Sequence, residues 1–286
     1  MEVITALNGK TYLHVWRGSK AYETQKGHLF YNEWTNIRFS LLKERSTTRY
    51  NVFDIRRALP LAAATFDAVY ACRVLEHLTP EEGARFISEL RRVLKPGGVC
   101  RISVPDLEQR CILYLERLRE CLSDPSAQNL VRYRWSVLEL IDQMVRERPG
   151  GLLLDCLKSG AFDTKYAIET SGDTYTDFFP QDYGSPRQEN RKRRIAGTRK
   201  ALIQKVLRRV KLFATGSNPQ KTREATKWMY DRLSLRLLME KHGFTCFTRK
   251  AYGESDIVGW EKYDFDRSNH GDYPIDPGLC VEAIKP

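Results

Sequence analysis

FDAVYACRVLEHLTPEEGARFISELRRVLKPGGVCRISVPDLE, Phe66 to Glu108, holds two apolar runs of strand length with a helical pattern between them. FDAVYA and VCRISVP are short and bounded by turn formers, as buried strands are. In PEEGARFISELRRVL, Phe86, Leu90, Val93 and Leu94 recur at helical spacing, Pro80 stands near the start and Pro96-Gly97-Gly98 ends the run. Strand, helix and strand in this order predict a parallel pair joined by a crossover. Upstream, YLHV, WTNIRF and YNVFDI are three more strand-length runs. The region from Tyr12 to about Glu120 is therefore expected to form a mostly parallel sheet covered on both faces.

Further along, the pattern changes. NLVRYRWSVLELIDQMVRE reads as a helix, and Gly150-Gly151 leads into a long stretch, SGAFDTKYAIETSGDTYTDFFPQDYGSPRQEN, rich in turn formers and without clear periodicity. TRKALIQKVLRRVKLF then carries an apolar stripe of Leu202, Val206 and Val210 opposite a basic face. KWMYDRLSLRLLMEKHG reads as a helix stopped at Gly243, with strand-like FTCFTRKAYG and LCVEAI after it.

The net charge of +11 is concentrated: Arg187 to Lys211 holds eleven Lys or Arg against Glu189, a local net charge of +10. Aromatic stacking positions are not interleaved there, which argues against nucleic acid. An amphipathic basic helix over 198–213 suits an anionic membrane surface, or a lid that leaves its lysines in water. The seven cysteines are scattered and never form a C-x-x-C pair, and the five histidines show no ligand spacing, so neither a disulfide framework nor a metal site is expected. No apolar run is long enough to span a bilayer, and the N-terminus lacks a signal-peptide pattern. The expected location is cytoplasmic, peripheral to the inner face of a membrane if the basic helix binds one.

The segment Phe66 to Glu108 resembles the middle of class I S-adenosylmethionine-dependent methyltransferases of the type 11 group. The F-D-x-V strand, the L-E-H turn, the helix ending R-V-L-K-P-G-G and the strand ending V-P-D stand in that family's order. WMYDRLSLRLLMEKHGF, the VEAIKP ending and ELIDQMVRERPGG are similar to a branch associated with polysaccharide biosynthesis. The resemblance implies an α/β, Rossmann-like class I methyltransferase fold: a mostly parallel sheet with an antiparallel C-terminal strand, plus a helical insertion. On that basis 1–122 begins the domain, 123–226 is a helical or irregular basic insertion serving as lid or substrate region, and 227–286 completes the domain.

It also implies a cofactor site at the carboxyl ends of the strands, where open α/β sheets bind ligands. Two anchors depart from the family pattern. Leu13 to Gly18 stands where the family has L-N-x-G-C-G, so that Trp16 and Arg17 replace small residues and only Gly18 is kept. WTNIRF matches W-x-N-x-D-F, so that Arg38 replaces the ribose-binding acid. A guanidinium only donates hydrogen bonds and repels a sulfonium; with Arg17 it suits a phosphorylated ligand better. Asp54 matches the acid that approaches the adenine amino group, and Cys72 lies at the end of the next strand. Trp16 either fills the methionine half of the pocket or packs on the sheet.

His77, with an unperturbed pKa near neutrality, is a candidate general base or a structural residue. Asp106 is a second candidate base, or the cap of a helix that begins at Leu107. Tyr230 and Asp231 are candidates for the acceptor site, with Trp228 and Tyr230 otherwise packing on a helix face.

Three readings are open from the residues. The first is a methyltransferase using S-adenosylmethionine on a hydroxyl of a sugar or related small molecule, a glycan acceptor included. The second is a non-methylating enzyme on the same scaffold, such as a glycosyltransferase with a nucleotide-sugar donor. The third is a membrane-associated pseudoenzyme.

Overall fold

In the computed structural model, residues 11–17, 33–40, 51–146, 150–159, 164–171, 225–251, 253–263, 265 and 278–286 are described. Gly18, the basic segment 187–213 and its expected helix 198–213 lie outside the described residues.

Seven strands form one sheet: β1 (Tyr12–Trp16), β2 (Trp34–Phe39), β3 (Asn51–Phe53), β4 (Phe66–Cys72), β5 (Leu94–Val104), β6 (Thr245–Arg249) and β7 (Leu279–Ile284). Their order is β3-β2-β1-β4-β5-β7-β6. The β1–β2, β1–β4, β2–β3 and β4–β5 pairs are parallel, while β7 runs antiparallel to both its neighbours. This is the Rossmann-like, mostly parallel sheet with an antiparallel C-terminal strand that the motifs imply. The strand order reverses at β1 and β4, which opens a crevice above their carboxyl ends.

Strand alternation sorts the side chains onto two faces. Leu13, Val15, Ile37, Val69, Ala71, Cys100 and Ile102 form one core with Phe86, Ile87, Leu90 and Val93 of helix α1 (Pro80–Val93) and with Leu235 and Met239 near the C-terminus. Each such fully buried side chain contributes about 1.5–3 kcal/mol relative to exposure. On the opposite face Trp34, Ala68 and Tyr70 pack against Ile257, Trp260, Tyr263 and Phe265.

One row of that second face is polar. Asn36, His14, Tyr70, Arg101 and Glu282 are successive register partners across β2, β1, β4, β5 and β7. Pairs form along the row: His14 Nδ1 lies 3.1 Å from Asn36 Oδ1, and Arg101 Nη1 donates to Glu282 at 2.7 Å. The His14 and Tyr70 rings stack at 5.4 Å, and the Arg101 guanidinium sits 4.4 Å from the Trp260 ring centroid. Glu282 also accepts from Ser255 and from the Asp256 N–H, so one buried carboxylate ties the 253–265 segment to the sheet.

Helix α1 starts as its sequence predicts, with Thr79 and Glu82 in a reciprocal capping box and Pro80 in the first turn. It ends at Val93, three residues before Pro96, and the chain passes directly into β5. Pro96-Gly97-Gly98 is thus a bulge within the strand rather than the turn that ends the helix. A Cβ at Gly98 would lie 2.9 Å from the Lys95 carbonyl oxygen and 3.0 Å from that of Asp67, so only glycine fits.

Helix α2 (Leu107–Ser123) follows β5, and α3 (Ala127–Val137) continues through a π turn at Leu138–Asp142 into a last turn at Gln143–Val145. Helices α4 (Gly151–Ser159) and α5 (Thr164–Ser171) pack on it through Trp135, Leu153, Leu157, Tyr166 and Ala167. The TKYAIETS segment, which shows no clear periodicity, is therefore helical, because two buried residues suffice to dock so short a helix.

Helix α6 covers Arg232–Lys241, shorter than the pattern of KWMYDRLSLRLLMEKHG suggests. Asp231 caps it, accepting from the Leu233 and Ser234 N–H groups, and this fixes its start. Residues 227–230 precede the helix, so Trp228 and Tyr230 do not lie on a helix face.

Candidate active site

The carboxyl ends of β2, β1 and β4 lie side by side. Trp16, the last residue of β1, has Arg38 and Cys72 as its register partners, and Arg38 in turn pairs with Val52. The sheet therefore brings Trp16, Arg38 and Cys72 into one row, with Arg17 and Arg73 one residue beyond the ends of β1 and β4. Asp54 follows the end of β3.

Trp16 is 1% exposed, and its ring lies 6.5 Å from that of His14 at an interplanar angle of 22°. The indole thus continues the aromatic face of the sheet up to the edge of the crevice. Arg38 is buried beside it. The Arg17 guanidinium lies 5.9 Å from the Phe39 ring centroid. The Asp54 carboxylate forms a two-point ion pair with Arg56, at 2.8 and 2.7 Å, which holds its pKa down.

The turn Leu75–His77 is one turn of 3-10 helix past β4. Arg73, which opens the connection, has φ 53°, a left-handed conformation uncommon for a residue other than glycine. The buried carboxylate of Glu76 lies 3.4 Å from Arg73 Nε and 3.9 Å from His77 Nε2.

His77 has a defined tautomer. Its Nδ1 lies 3.2 Å from the Ala225 carbonyl oxygen, which only accepts, so Nδ1 carries the proton and Nε2 the lone pair. Burial, then the positive charges of Arg17, Arg73 and Arg146, push its pKa well below the ordinary histidine value. The ring is a neutral proton acceptor at pH 7.

Asp106 caps α2 by accepting from the Gln109 N–H, and its other oxygen meets Arg249 at 3.3 Å. A bridge joins Asp106 to Tyr230, and the Leu107 N–H donates to the Tyr230 carbonyl. The Tyr230 phenol is buried in the core; its oxygen is 2.9 Å from where a Cβ on Gly83 of α1 would stand. Burial raises its pKa to about 12. Asp231 is engaged as the α6 cap, while the Glu76 carboxylate beside His77 adds to the rise in the Tyr230 pKa.

The segment that holds His77 in place runs from the last residues of the insertion, Ala225 and Thr226, into Lys227 and Trp228. The Lys227 and Trp228 N–H groups both donate to the Glu76 carbonyl, and the Thr226 N–H donates to that of Gln143. Gln143 precedes Arg146 by one helical turn, which delivers Arg146 to the same edge. Glu76, Arg73 and Arg146 were not legible as site residues: Arg73 is marked by a backbone angle, and Arg146 by a contact between distant segments.

Residues 35–102 match the family model described as a methyltransferase domain. The matched stretch runs from β2 to β5 and includes the whole Arg73–His77 connection. A protein of Mycolicibacterium smegmatis described as "Probable S-adenosylmethionine-dependent methyltransferase" is 45% identical over 62 residues, 20% of this chain and 23% of that relative. The aligned stretch thus spans about a quarter of the curated relative. Among solved structures, a SAM-dependent methyltransferase of Methanosarcina mazei is 11% identical over 100% of this chain and 99% of its own, with a TM-score of 0.38. A Haloferax volcanii methyltransferase solved in complex with the Trm112 activator is 10% identical over 97% and 84%, with a TM-score of 0.39.

The matched domain and relative support S-adenosylmethionine as cofactor. At the described edge Arg17 follows the end of β1, whereas the indole of Trp16 is enclosed by the sheet. At the end of β2 the donor-only Arg38 offers no acceptor for a ribose diol, so the sugar hydroxyls must find acceptors elsewhere. Among the described residues no group of three or more His, Cys, Asp or Glu could hold a metal ion, and no helix is long and apolar enough to cross a membrane.

Proposed function

We propose that this chain is an S-adenosylmethionine-dependent methyltransferase acting on a hydroxyl of a small molecule, with His77 as the base. The observation that supports it most is that the methyltransferase-domain match, 35–102, covers the connection in which His77 is held neutral with its Nε2 lone pair available. The similarity of the 139–151 and 228–244 segments to the polysaccharide-associated branch favours a sugar-like acceptor.

When bound, S-adenosylmethionine supplies a methyl group attached to a positively charged sulfur. The chain's own contribution is to orient the hydroxyl and take up its proton. His77 Nε2 accepts that proton as the oxygen becomes nucleophilic, and Glu76, 3.9 Å away, stabilises the imidazolium that results. The Ala225 carbonyl fixes the ring's orientation, so that nucleophile and base meet without a search through rotamers. Trp16 and Arg38 close the edge on the β1–β2 side; Arg17 and Arg38 are proposed to flank the cofactor with Cys72, and Asp54 to lie toward its base. Asp106, on the far side of β4, is proposed to position the acceptor through its carboxylate rather than to act as a second base, because it already caps α2 and meets Arg249.

Calorimetric titration with S-adenosylhomocysteine tests the assignment. Micromolar binding is expected, with affinity retained in His77→Gln while methyl transfer is lost. No binding up to millimolar ligand would overturn it.

A further inference from the structure

Tyr230 carries a buried hydroxyl with no hydrogen-bond partner among the described residues. The residue is 3% exposed, and its backbone is tied to the end of β5 by the Leu107 N–H and the bridge to Asp106. Just before it in the chain, the Lys227 and Trp228 N–H groups donate to the Glu76 carbonyl. The segment 227–230 therefore runs from the turn that carries His77 to the end of the neighbouring strand. A Cβ on Gly83 would stand 2.9 Å from the phenol oxygen and 3.3 Å from Leu75 Cδ1. The hydroxyl thus occupies room left by a missing side chain on α1, close to the residue that precedes Glu76.

A hydroxyl enclosed without a partner is uncommon, because the hydrogen bond it made to water in the unfolded chain is not replaced. Helix α1 also carries a glycine, a weak helix former, where alanine would press on the phenol oxygen. The acid whose charge acts on the phenol is Glu76; with burial as the larger cause, the Tyr230 pKa rises to about 12, so the O–H remains a donor at neutral pH. Glu76 is itself 1% exposed, 3.4 Å from Arg73 Nε and 3.9 Å from His77 Nε2. A carboxylate so enclosed is kept ionised by the donors and cations around it. It is also the charge that faces the imidazolium once His77 has taken up a proton.

We propose that Tyr230 is a positioning residue for the base: its phenol O–H is the donor held for the Glu76 carboxylate, which it keeps ionised and turned toward Nε2 as His77 takes up a proton. The phenol keeps its own proton throughout. The hydrogen bond is open in the resting chain and closes as charge develops on His77, as contacts between catalytic groups commonly tighten only during the reaction. The role rests on His77 acting as the base, whereas the pairing of Tyr230 with Glu76 does not. It accounts together for the unpaired phenol, the glycine opposite it and the path of 227–230 across the site.

The His77 imidazole resonance, followed against pH in the full chain without ligand, is the test. In Tyr230→Phe, which keeps the ring and removes only the hydroxyl, the midpoint is expected to fall by about half a pH unit, a loss of about threefold in proton affinity, because the charge that favours the imidazolium loses its donor. Glu76→Gln should lower the midpoint further, and adding Tyr230→Phe to it should lower it no more, since the tyrosine acts through the carboxylate. Tyr12→Phe, which removes a phenol that donates to the Val258 carbonyl on the other face of the sheet, should leave the midpoint in place. Arg17, Arg73 and Arg146, whose charges also act on His77, are the same in every variant. Thermal unfolding shows that each variant is folded before midpoints are compared. A wild-type midpoint in Tyr230→Phe, or a shift that adds in full to that of Glu76→Gln, would overturn the proposal. Parallel titration with S-adenosylhomocysteine separates the two readings. If the midpoint responds and the ligand does not bind, the pairing of Tyr230 with Glu76 stands and the methyltransferase proposal falls; if the ligand binds and the midpoint does not respond, the reverse holds.

Discussion

Trp16 and Arg38 are register partners at the ends of β1 and β2, an indole and a guanidinium side by side and both buried. Trp16 extends the aromatic face that His14 begins, so it serves as core although it stands where the family resemblance expects a glycine of the cofactor loop. Trp16→Gly should therefore lower the unfolding free energy by about 3–5 kcal/mol, the range for removing a buried aromatic. Urea unfolding measures it, and a loss below about 1 kcal/mol would show that the indole is not packed.

His77 should titrate far below the usual histidine range. Its imidazole Cε1–H resonance is expected to shift with a midpoint well under pH 6.5, and Arg146→Gln should move that midpoint upward by removing one of the charges that depress it. A midpoint at 6.5 in the wild type would contradict the enclosure described here.

His14 links stability to pH. Its pKa is held down to about 3 by burial, against 6.5 for a free imidazole, so the unfolded chain binds the proton and the folded chain does not. The contribution is fully present above pH 6.5 and is lost as pH falls toward 3, at up to about 1.4 kcal/mol per pH unit. His14→Phe keeps a ring against Tyr70 and should flatten the stability curve between pH 6.5 and 5; His77 leaves a residual slope. An unchanged slope would remove His14 from the account.

Gly83 and Tyr230 form a tight pair. A Cβ on Gly83 would stand 2.9 Å from the phenol oxygen. Gly83→Ala should cost about 1–3 kcal/mol by overpacking in the wild type. In a Tyr230→Phe background the same change should be neutral, or stabilising by up to about 1 kcal/mol, because alanine is the better helix former. Chemical denaturation of the four proteins of the cycle gives the coupling, and additive effects would rule out the contact.

Arg101 and Glu282 are a fully enclosed pair. Arg101→Met alone leaves the buried Glu282 carboxylate with Lys250, 3.8 Å away, as its cation and should cost about 3 kcal/mol, whereas adding Glu282→Gln should return much of it. If the double variant is no more stable than the single one, the loss lies in the cation–π packing on Trp260 and Tyr70 instead.

The β4–α1–β5 unit was legible because every local signal agreed: a capping box, a proline in the first helical turn and apolar periodicities of the right length. Asp106 and Asp231 were legible as residues but not in their use, since an acid before an apolar run suits both a cap and a site. The start of α6 went unread because Lys227 to Tyr230 fits a helical pattern, while hydrogen bonds to the Glu76 carbonyl and from the Leu107 N–H hold those residues outside the helix. The polar row from Asn36 to Glu282 could not be read either, as it exists only once five strands from across the chain stand in register. The candidate site is divided in the same way. Its histidine comes with the matched domain, and Arg146 becomes visible only when residues 143–146 and 225–228 meet.

That meeting point acts as a clasp. The Thr226 N–H on the Gln143 carbonyl joins the two ends of the intervening segment, so the site beneath registers where that segment enters and leaves. Closing a loop costs only about 0.6 kcal/mol more for each doubling of its length. The clasp therefore fixes both ends of that segment at the site whatever its length, while α4 and α5 within it stay bound to α3 through Trp135, Leu153, Leu157, Tyr166 and Ala167; a variant segment between them would leave the base and its tautomer as they stand.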